Sequence, residues 1–568
     1  MNPSVLPTPL AGGMSLDPPT AWPADLRPLL TAYLHQRLAA FQDGFRHNVA
    51  LLGPLGSGKS TLLQRGLESA DGRFIKIYCL LQRDPVREFL RRFSAALLRG
   101  ALAARADAPL EWLEQQAAGT MPDTVAAIQH LDRYAGGHQQ AEAFVHALDL
   151  VALAHKELGR PCILVLDEFL HLEELGAAQV FHELGKRVMT WPFTLFLLSS
   201  SSSFRARTIL RERLHLLFGQ FELMTPGPVE IAAAAGWLEQ EPIGQPDTER
   251  AGPFLLHWVG SSPWYLGVLL RRIKELQMIA QGQDSGAELP ALSMDRLRLQ
   301  PEPGSILVQA AWDLLGRSDG VLFQRCDARI EQLVRERYGP IAREALLQIA
   351  QGARTTPAIA RQSGMRRSLS GAFQTLIEHD LIERKGNCWV IADQLLACWL
   401  SAVFAVRKDG AAVDETEARQ RFEQVLRGIW MRWVETAAQP LASRIRRLFG
   451  QFRNETIALD HRTGRLPSFR STSLRQPSGR DEVYLVADGD ERRWCCVVSE
   501  RRLDEPGIAA FEQFCRRQDP RPTRKIVVSA GGLELNATLL AKESTMWVWE
   551  PEDVDLLLRL YGQGQTGR

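Results

Sequence analysis

Apolar positions follow two rhythms along the chain. From residue 45 to about 224, short and nearly continuous apolar runs alternate with longer stretches of helical period. The runs are Asn48–Leu52, Phe74–Cys79, Cys162–Leu166, Phe193–Ser199 and a weaker one at Phe218–Leu223. Strands covered on both faces by crossover helices read this way, so the pattern predicts a parallel α/β sheet. Leu26, Leu30, Leu34 and Leu38 are spaced four apart and predict a covering helix within 21–43.

After the sheet the rhythm becomes helical. Residues 228–275 predict helices with a break at Gly260–Pro263, and 276–305 read as a surface excursion rich in Gly, Pro, Asp and Ser. Residues 341–400 predict three short helices and a hairpin. Ala345, Leu346, Ile349 and Ala350 form the first stripe, and Thr356 and Pro357 start the second helix. The third runs from Ser368 to His379. Leu381–Arg384 and Cys388–Ile391 then flank Lys385-Gly386-Asn387, a winged helix-turn-helix pattern. Residues 401–450 are mostly helical. From 451 the α/β alternation returns, with strands at Val483–Ala487, Trp494–Ser499, Lys525–Ser529 and Met546–Trp549, and helices at Gly507–Arg517 and Pro551–Leu560.

The expected organisation is therefore multidomain α/β. A flexible tail spans 1–20, an α/β domain 21–227, a helical lid 228–275 and a linker with helical connector 276–330. A winged helix spans 331–400, a basic helical connector 401–450 and a second α/β domain 451–568. Three or four domains suit 568 residues at roughly 150 each.

Charge narrows the partners. The chain has 67 Lys and Arg against 66 Asp and Glu, so no whole-chain field draws it to nucleic acid or membrane, and any such contact needs a local patch. No stretch reaches the roughly 20 apolar residues of a membrane span, and no basic-then-apolar leader opens the chain. The eight cysteines are scattered and lack CxxC spacing, which predicts buried free thiols in a reducing, cytoplasmic setting.

The chemistry concentrates in two places. Asn48–Leu52 runs into Gly53-Pro54-Leu55-Gly56-Ser57-Gly58-Lys59-Ser60-Thr61 and then a helical pattern, a P-loop in its strand–loop–helix context. Gly53, Gly56 and Gly58 let backbone amides wrap phosphates. Pro54, Ser57 and Thr61 complete the cradle, Lys59 reaches the β/γ-phosphates, and the Ser60 hydroxyl can ligate Mg²⁺. Cys162–Leu166 then delivers Asp167-Glu168, suited to hold Mg²⁺ and to polarise the attacking water as general base. Phe193–Leu198 ends in Ser199–Ser203, where Ser199 or Ser200 can sense the γ-phosphate. Arg205, Arg207, Arg211 and Arg213 follow. Among these, Glu168, Lys59 and Ser200 form the candidate catalytic set. Nearby His171, Glu173 and Glu174 read as a solvated helix face.

The order Gly53–Thr61, Asp167–Glu168, strand plus serines, Leu217-Phe218-Gly219 and Gly260–Leu266 resembles the archaeal-type ATPases, in the STAND branch of AAA+-related P-loop proteins. The resemblance implies ATP and Mg²⁺ as cofactors, a helical lid, a winged helix and a C-terminal domain of restriction-endonuclease-like PD-(D/E)xK fold. The chain departs from that pattern at Gly219-Gln220 and at Ser199-Ser200. In the C-terminal region Glu455, Asp481 and Glu500 are the candidate carboxylates. Arg502 stands where a lysine is expected, and arginine stays protonated, so an inactive derivative is the expectation.

A second basic signal lies at Arg361, Arg366, Arg367, Arg384 and Lys385, around the turn, third helix and wing tip. Such a set suits phosphate contact to duplex DNA. Residues 427–480 add many arginines with Phe449, Phe452 and Phe469 interleaved, as stacking platforms or as core. The leading expectation is an ATP-dependent switch acting on or near DNA. The alternatives are an interaction ATPase that binds a protein partner or itself, and an ATP-controlled nuclease.

Overall fold

The computed structural model describes residues 27–131, 140–175, 179–212, 221–226, 231–240, 248–280, 305–364, 369–405, 415–437, 439–459, 462–490 and 492–561. The Leu217–Gly219 run, Gln220, Arg213, Arg366, Arg367 and Ser368, the tail 1–20 and most of the excursion after 276 lie outside the described residues. The described residues fall into two compact units. One lies within Met1–Ala234 together with Ser261–Val268, and the other comprises Ala235–Gly260 and Leu269–Arg568.

The first unit is built on a five-stranded sheet of β1 (Asn48–Leu52), β2 (Ile75–Leu80), β3 (Cys162–Asp167), β4 (Thr194–Ser200) and β5 (Phe221–Met224), in the order β2-β3-β4-β1-β5 and parallel throughout. The alternation of side chains sorts its core into two layers. Val49, Leu51, Ile163, Val165, Leu195 and Leu197 face the helices Pro28–Gln42 and Lys59–Ser69, with Leu34, Leu38, Leu62 and Leu63 opposite. Ala50, Leu52, Leu164, Leu166, Phe196 and Leu198 face the other way, toward the helices Val86–Leu102 and Gln140–Leu158. β3 and β4 are buried along their whole length, which is why their sequences carry no polar alternation. β2, at the sheet edge, alternates between buried and half-buried positions and ends on the exposed Leu80.

The second unit contains helices from 235 to 450 and a C-terminal α/β layer. Phe254 on the helix Thr248–Val259 packs edge-on against Trp430 and Trp433 of the helix Glu415–Ala437, with ring centroids 4.6 and 5.6 Å apart. On the same short helix, His257 is held neutral. Burial first, then the charges of Arg444, Arg559 and Arg432, push its imidazole down to about 4, and its buried Nδ1 has no hydrogen-bond partner. The unfolded chain protonates this group near 6.5, so between pH 6.5 and 4 the unfolded state binds more protons. Acidification over that window should therefore destabilise the unit by about 1.4 kcal/mol per pH unit. Urea unfolding is expected to show a lower midpoint at pH 5 than at pH 7, with His257→Phe removing most of the difference. An unaltered difference in the variant contradicts this assignment.

Helices Gly339–Ala350, Thr356–Ser363 and Leu369–Glu378 are followed by an antiparallel hairpin of β6 (Ile382–Lys385) and β7 (Cys388–Ile391). Thr356, expected at the cap, is already helical, and Thr355 stands at the cap without a side-chain bond to the helix amides. The Thr356 hydroxyl instead accepts from Trp389 Nε1 at 3.0 Å, an aromatic partner that local sequence does not announce.

The tip of this hairpin is seated on the next one, β8 (Glu455–Leu459) with β9 (Arg462–Leu466). The Asn387 amide donates to the Thr456 carbonyl (2.8 Å), and the Thr456 amide donates to Asn387 Oδ1 (2.9 Å). Gly386 has φ +73°, and a Cβ there would lie 2.2 Å from the Thr456 carbonyl oxygen. Only glycine fits both the turn and the contact. Arg354 also lies over the Tyr561 ring, 4.0 Å from its centroid.

The C-terminal sheet runs β10 (Ser471–Arg475), β11 (Val483–Asp488), β12 (Arg493–Ser499), β13 (Arg524–Ser529) and β14 (Trp547–Trp549), in that spatial order. It is antiparallel up to β12 and parallel beyond. One face packs on the helices Glu505–Arg516 and Leu535–Glu543. The other packs on Leu441–Gly450, Pro551–Leu560 and the β8–β9 hairpin. Phe449 and Phe452 are buried in that second layer, with Phe469 packed against it and 5.6 Å from Phe449. The aromatics interleaved with the arginines are thus core and not stacking platforms. All eight cysteines are free, and only Cys398 is not fully buried. Among the described residues no helix is long and apolar enough to cross a membrane.

Candidate functional site

The loop after β1 is shaped by two glycines in the left-handed region, Gly56 (φ +80°) and Gly58 (φ +86°). The Gly53 amide donates to the Ser200 carbonyl at 3.1 Å, which extends the β1–β4 pairing into the loop. A Cβ at Gly56 would lie 2.8 Å from Cβ of Trp264, at the start of the helix Pro263–Ala280, so this indole-bearing backbone lies directly on the loop. Lys59 is the first residue of its helix and is 4 % exposed. Its Nζ donates to the carbonyls of Gly53 (2.9 Å) and Pro54 (3.2 Å) and lies 3.6 Å from Glu168 Oε1. Ser57 Oγ is buried without a hydrogen-bond partner, while Ser60 and Thr61 are exposed.

This donor set fits a polyphosphate. A buried ammonium held by its own loop's carbonyls and an unsatisfied buried hydroxyl both gain when an anion enters.

Strand alternation decides which side chains meet this loop. Ile163, Val165 and then Asp167 lie on the face of β3 toward the helix Lys59–Ser69. Leu195, Leu197 and then Ser199 share that face on β4. The Ser199 hydroxyl donates to Asp167 Oδ1 and accepts from the Glu168 amide at 3.1 Å. Asp167 is fully buried, and its other oxygen accepts from the Tyr78 hydroxyl at 2.5 Å. Burial, then the Asp167 charge, pushes the Tyr78 phenol well above its ordinary range, so it stays a donor. Glu168 has φ +57°, a strained position for a residue with a side chain. Its Oε2 accepts from both the amide and the hydroxyl of Ser201, at 2.8 and 2.9 Å.

Ser200 points elsewhere. Its hydroxyl donates to the Ser202 carbonyl (3.3 Å) and accepts from the Ser202 amide (3.1 Å), closing a local turn. Sequence reading offered Ser199 or Ser200 as the sensor, placed Ser200 in the catalytic set, read Gly260–Leu266, which contains Trp264, as the start of a lid helix, and did not single out Ser201 or Tyr78. Counting by twos from Leu195 and Leu197 separates Ser199 from Ser200. Nothing local marks Tyr78. Glu173 pairs with Arg205, and Glu174 with Arg83 (3.2 Å) and His171 (3.3 Å). Arg207 donates to the Thr225 hydroxyl at 3.0 Å and Arg211 pairs with Glu212.

The other candidate residues do not converge. Glu455 is buried and accepts from the Arg453 amide at 2.6 Å. Asp481 is exposed and pairs with Arg501 at 2.6 Å. Glu500 follows β12 and accepts from the Leu441 amide at 3.3 Å, and Arg502 donates to the Leu533 carbonyl at 3.5 Å. Among the described residues no three His, Cys, Asp or Glu side chains gather to hold a metal ion. Arg361 is exposed. Arg384 turns back on the Gly386 carbonyl (2.9 Å) and the Trp389 ring, and Lys385 pairs with Glu383 at 3.5 Å.

Residues 27–192 match the family model described as AAA ATPase domain. A comparison with curated proteins gives no match. Among solved structures the chain is similar to the Walker-type ATPase paby2304 of Pyrococcus abyssi, at 15 % identity over 65 % of this chain and 94 % of that one, with a TM-score of 0.40. The ORC2 protein of Aeropyrum pernix, in its ADPNP–ADP complexes, gives 12 %, 73 %, 96 % and 0.41 in the same order. The ORC1 protein of Aeropyrum pernix, in complex with DNA, gives 14 %, 69 %, 95 % and 0.32. The loop, β3 and the acidic pair all fall inside the matched span.

Proposed function

We propose that the chain is an ATP-binding and ATP-hydrolysing switch that acts on or near DNA. The observation that carries the hydrolytic part is the Glu168 carboxylate, set by a strained backbone 3.6 Å from the buried Lys59 ammonium and held on Ser201. The loop amides of Gly53–Thr61 and Lys59 hold the phosphates. Ser60 and Asp167 are the residues that would hold Mg²⁺, which neutralises phosphate charge when bound. Glu168, released from Ser201, takes the proton of the attacking water as general base. Ser199 keeps Asp167 and the Glu168 backbone in one frame.

The three helices and hairpin after Gly339 serve in this reading as a winged helix. Arg361, Arg366 and Arg367 then supply phosphate contacts, and Ser370, which is exposed, meets base edges. Titration of random duplex at several salt concentrations, with and without ATP, tests it. Affinity should fall steeply with salt, and changing Arg361, Arg366 and Arg367 together to Ala should weaken binding and flatten the slope. Duplex binding that ignores these arginines removes DNA from the proposal.

One observation favours a second reading, in which this module docks the C-terminal α/β layer. The tip of β6–β7 is already engaged by Thr456. Gly386→Val should prise the two hairpins apart, raising amide exchange at Asn387 and Thr456 by about tenfold or more, as expected when paired backbone groups open to water. Exchange equal to the native chain would mean that the tip contact holds nothing.

A further inference from the structure

We propose that Tyr78 is a positioning residue of the metal-binding pair, its hydroxyl fixing the Asp167 carboxylate beside Ser60 for a divalent cation. The inference rests on the proposed roles of Ser60 and Asp167. Tyr78 lies on β2 opposite Val165 of β3, and paired residues point to the same face. That face carries Asp167 two residues further on, and it looks toward the helix Lys59–Ser69. Ser60 and Gln64 are four apart on that helix, one above the other on one side.

The three elements meet at one oxygen. The Tyr78 hydroxyl donates to Asp167 Oδ2 at 2.5 Å, with the side chains of Ser60 and Gln64 beside it. It thus holds one of the two groups between which the cation of a P-loop site lies and stands next to the other. Asp167 has its other oxygen on Ser199, so two hydroxyl donors fix the carboxylate plane from both sides. A buried carboxylate without such donors is free to rotate and costly to keep charged. Outer groups that orient a metal ligand in this way typically contribute 10- to 100-fold to metal affinity, so roughly tenfold is the expected share of one hydroxyl.

The test is a MgCl₂ titration of ADP binding by the full chain, followed by calorimetry, for the native protein, Tyr78→Phe and Gln64→Ala. Phenylalanine keeps the ring and removes the donor. Gln64 is exposed, so its replacement leaves folding intact if Tyr78→Phe does not fold. Tyr78→Phe should raise the half-saturating Mg²⁺ concentration about tenfold, with ADP affinity in EDTA unchanged. Gln64→Ala should shift it the same way by a smaller factor. A merely structural role would alter the EDTA affinity as well. A half-saturation unchanged in both variants, or a lower one in Tyr78→Phe, overturns the inference while leaving Ser60 and Asp167 in place. Native ADP affinity that is indifferent to Mg²⁺ overturns both.

Discussion

Lys59→Ala should abolish measurable nucleotide binding at concentrations that saturate the native chain. Lys59 Nζ is buried and bonded to the Gly53 and Pro54 carbonyls of its own loop. With phosphate present it is an ammonium already placed beside the loop's amides. Removing a buried charged donor costs about 3 kcal/mol, which is on the order of 10²-fold in affinity. The truncation also leaves two loop carbonyls without their donor, so the loop itself should loosen. Calorimetry with ATP and ADP, paired with circular dichroism to confirm folding, reads both effects. Native affinity in the variant would remove Lys59 and the loop from the nucleotide site.

Glu168→Gln should separate binding from turnover. Glutamine is isosteric and can still accept from the Ser201 amide and hydroxyl, so the resting arrangement survives. It cannot take a proton from water. MgATP affinity should stay near native, and single-turnover hydrolysis should slow by roughly 10²-fold or more. A native rate would show that another group activates the water. A large loss of affinity would show instead that Glu168 shapes the binding site through its contact with Lys59.

The nucleotide loop and the acidic pair were legible because their chemistry is local. A strand, a glycine-bearing loop and a helix follow one another without interruption between Asn48 and Ser69. The strands β3 and β4 were legible for the opposite reason, since burial on both faces leaves an unbroken apolar run. The β10 strand was not, because Ser471–Arg475 is an exposed edge with no apolar alternation to read. The β9 strand was hidden in the arginine-rich stretch, where Arg462 and Arg465 are exposed and only Leu466 of that strand is buried. Tyr78 and Ser201 were invisible for a further reason. Their roles depend on the register between β2, β3 and β4, which spans more than a hundred residues of sequence. The tip of the β6–β7 hairpin looked open and basic, but its turn carries Gly386, and the partner that requires glycine there is Thr456, seventy residues on.

Release of γ-phosphate from labelled ATP by the full chain in excess, with Mg²⁺ or with EDTA, tests the central claim most directly. The account predicts phosphate release in Mg²⁺, none in EDTA, and none by the Lys59→Ala chain in either. ATP that stays bound and uncleaved in Mg²⁺, or cleavage that persists without Lys59, would contradict it.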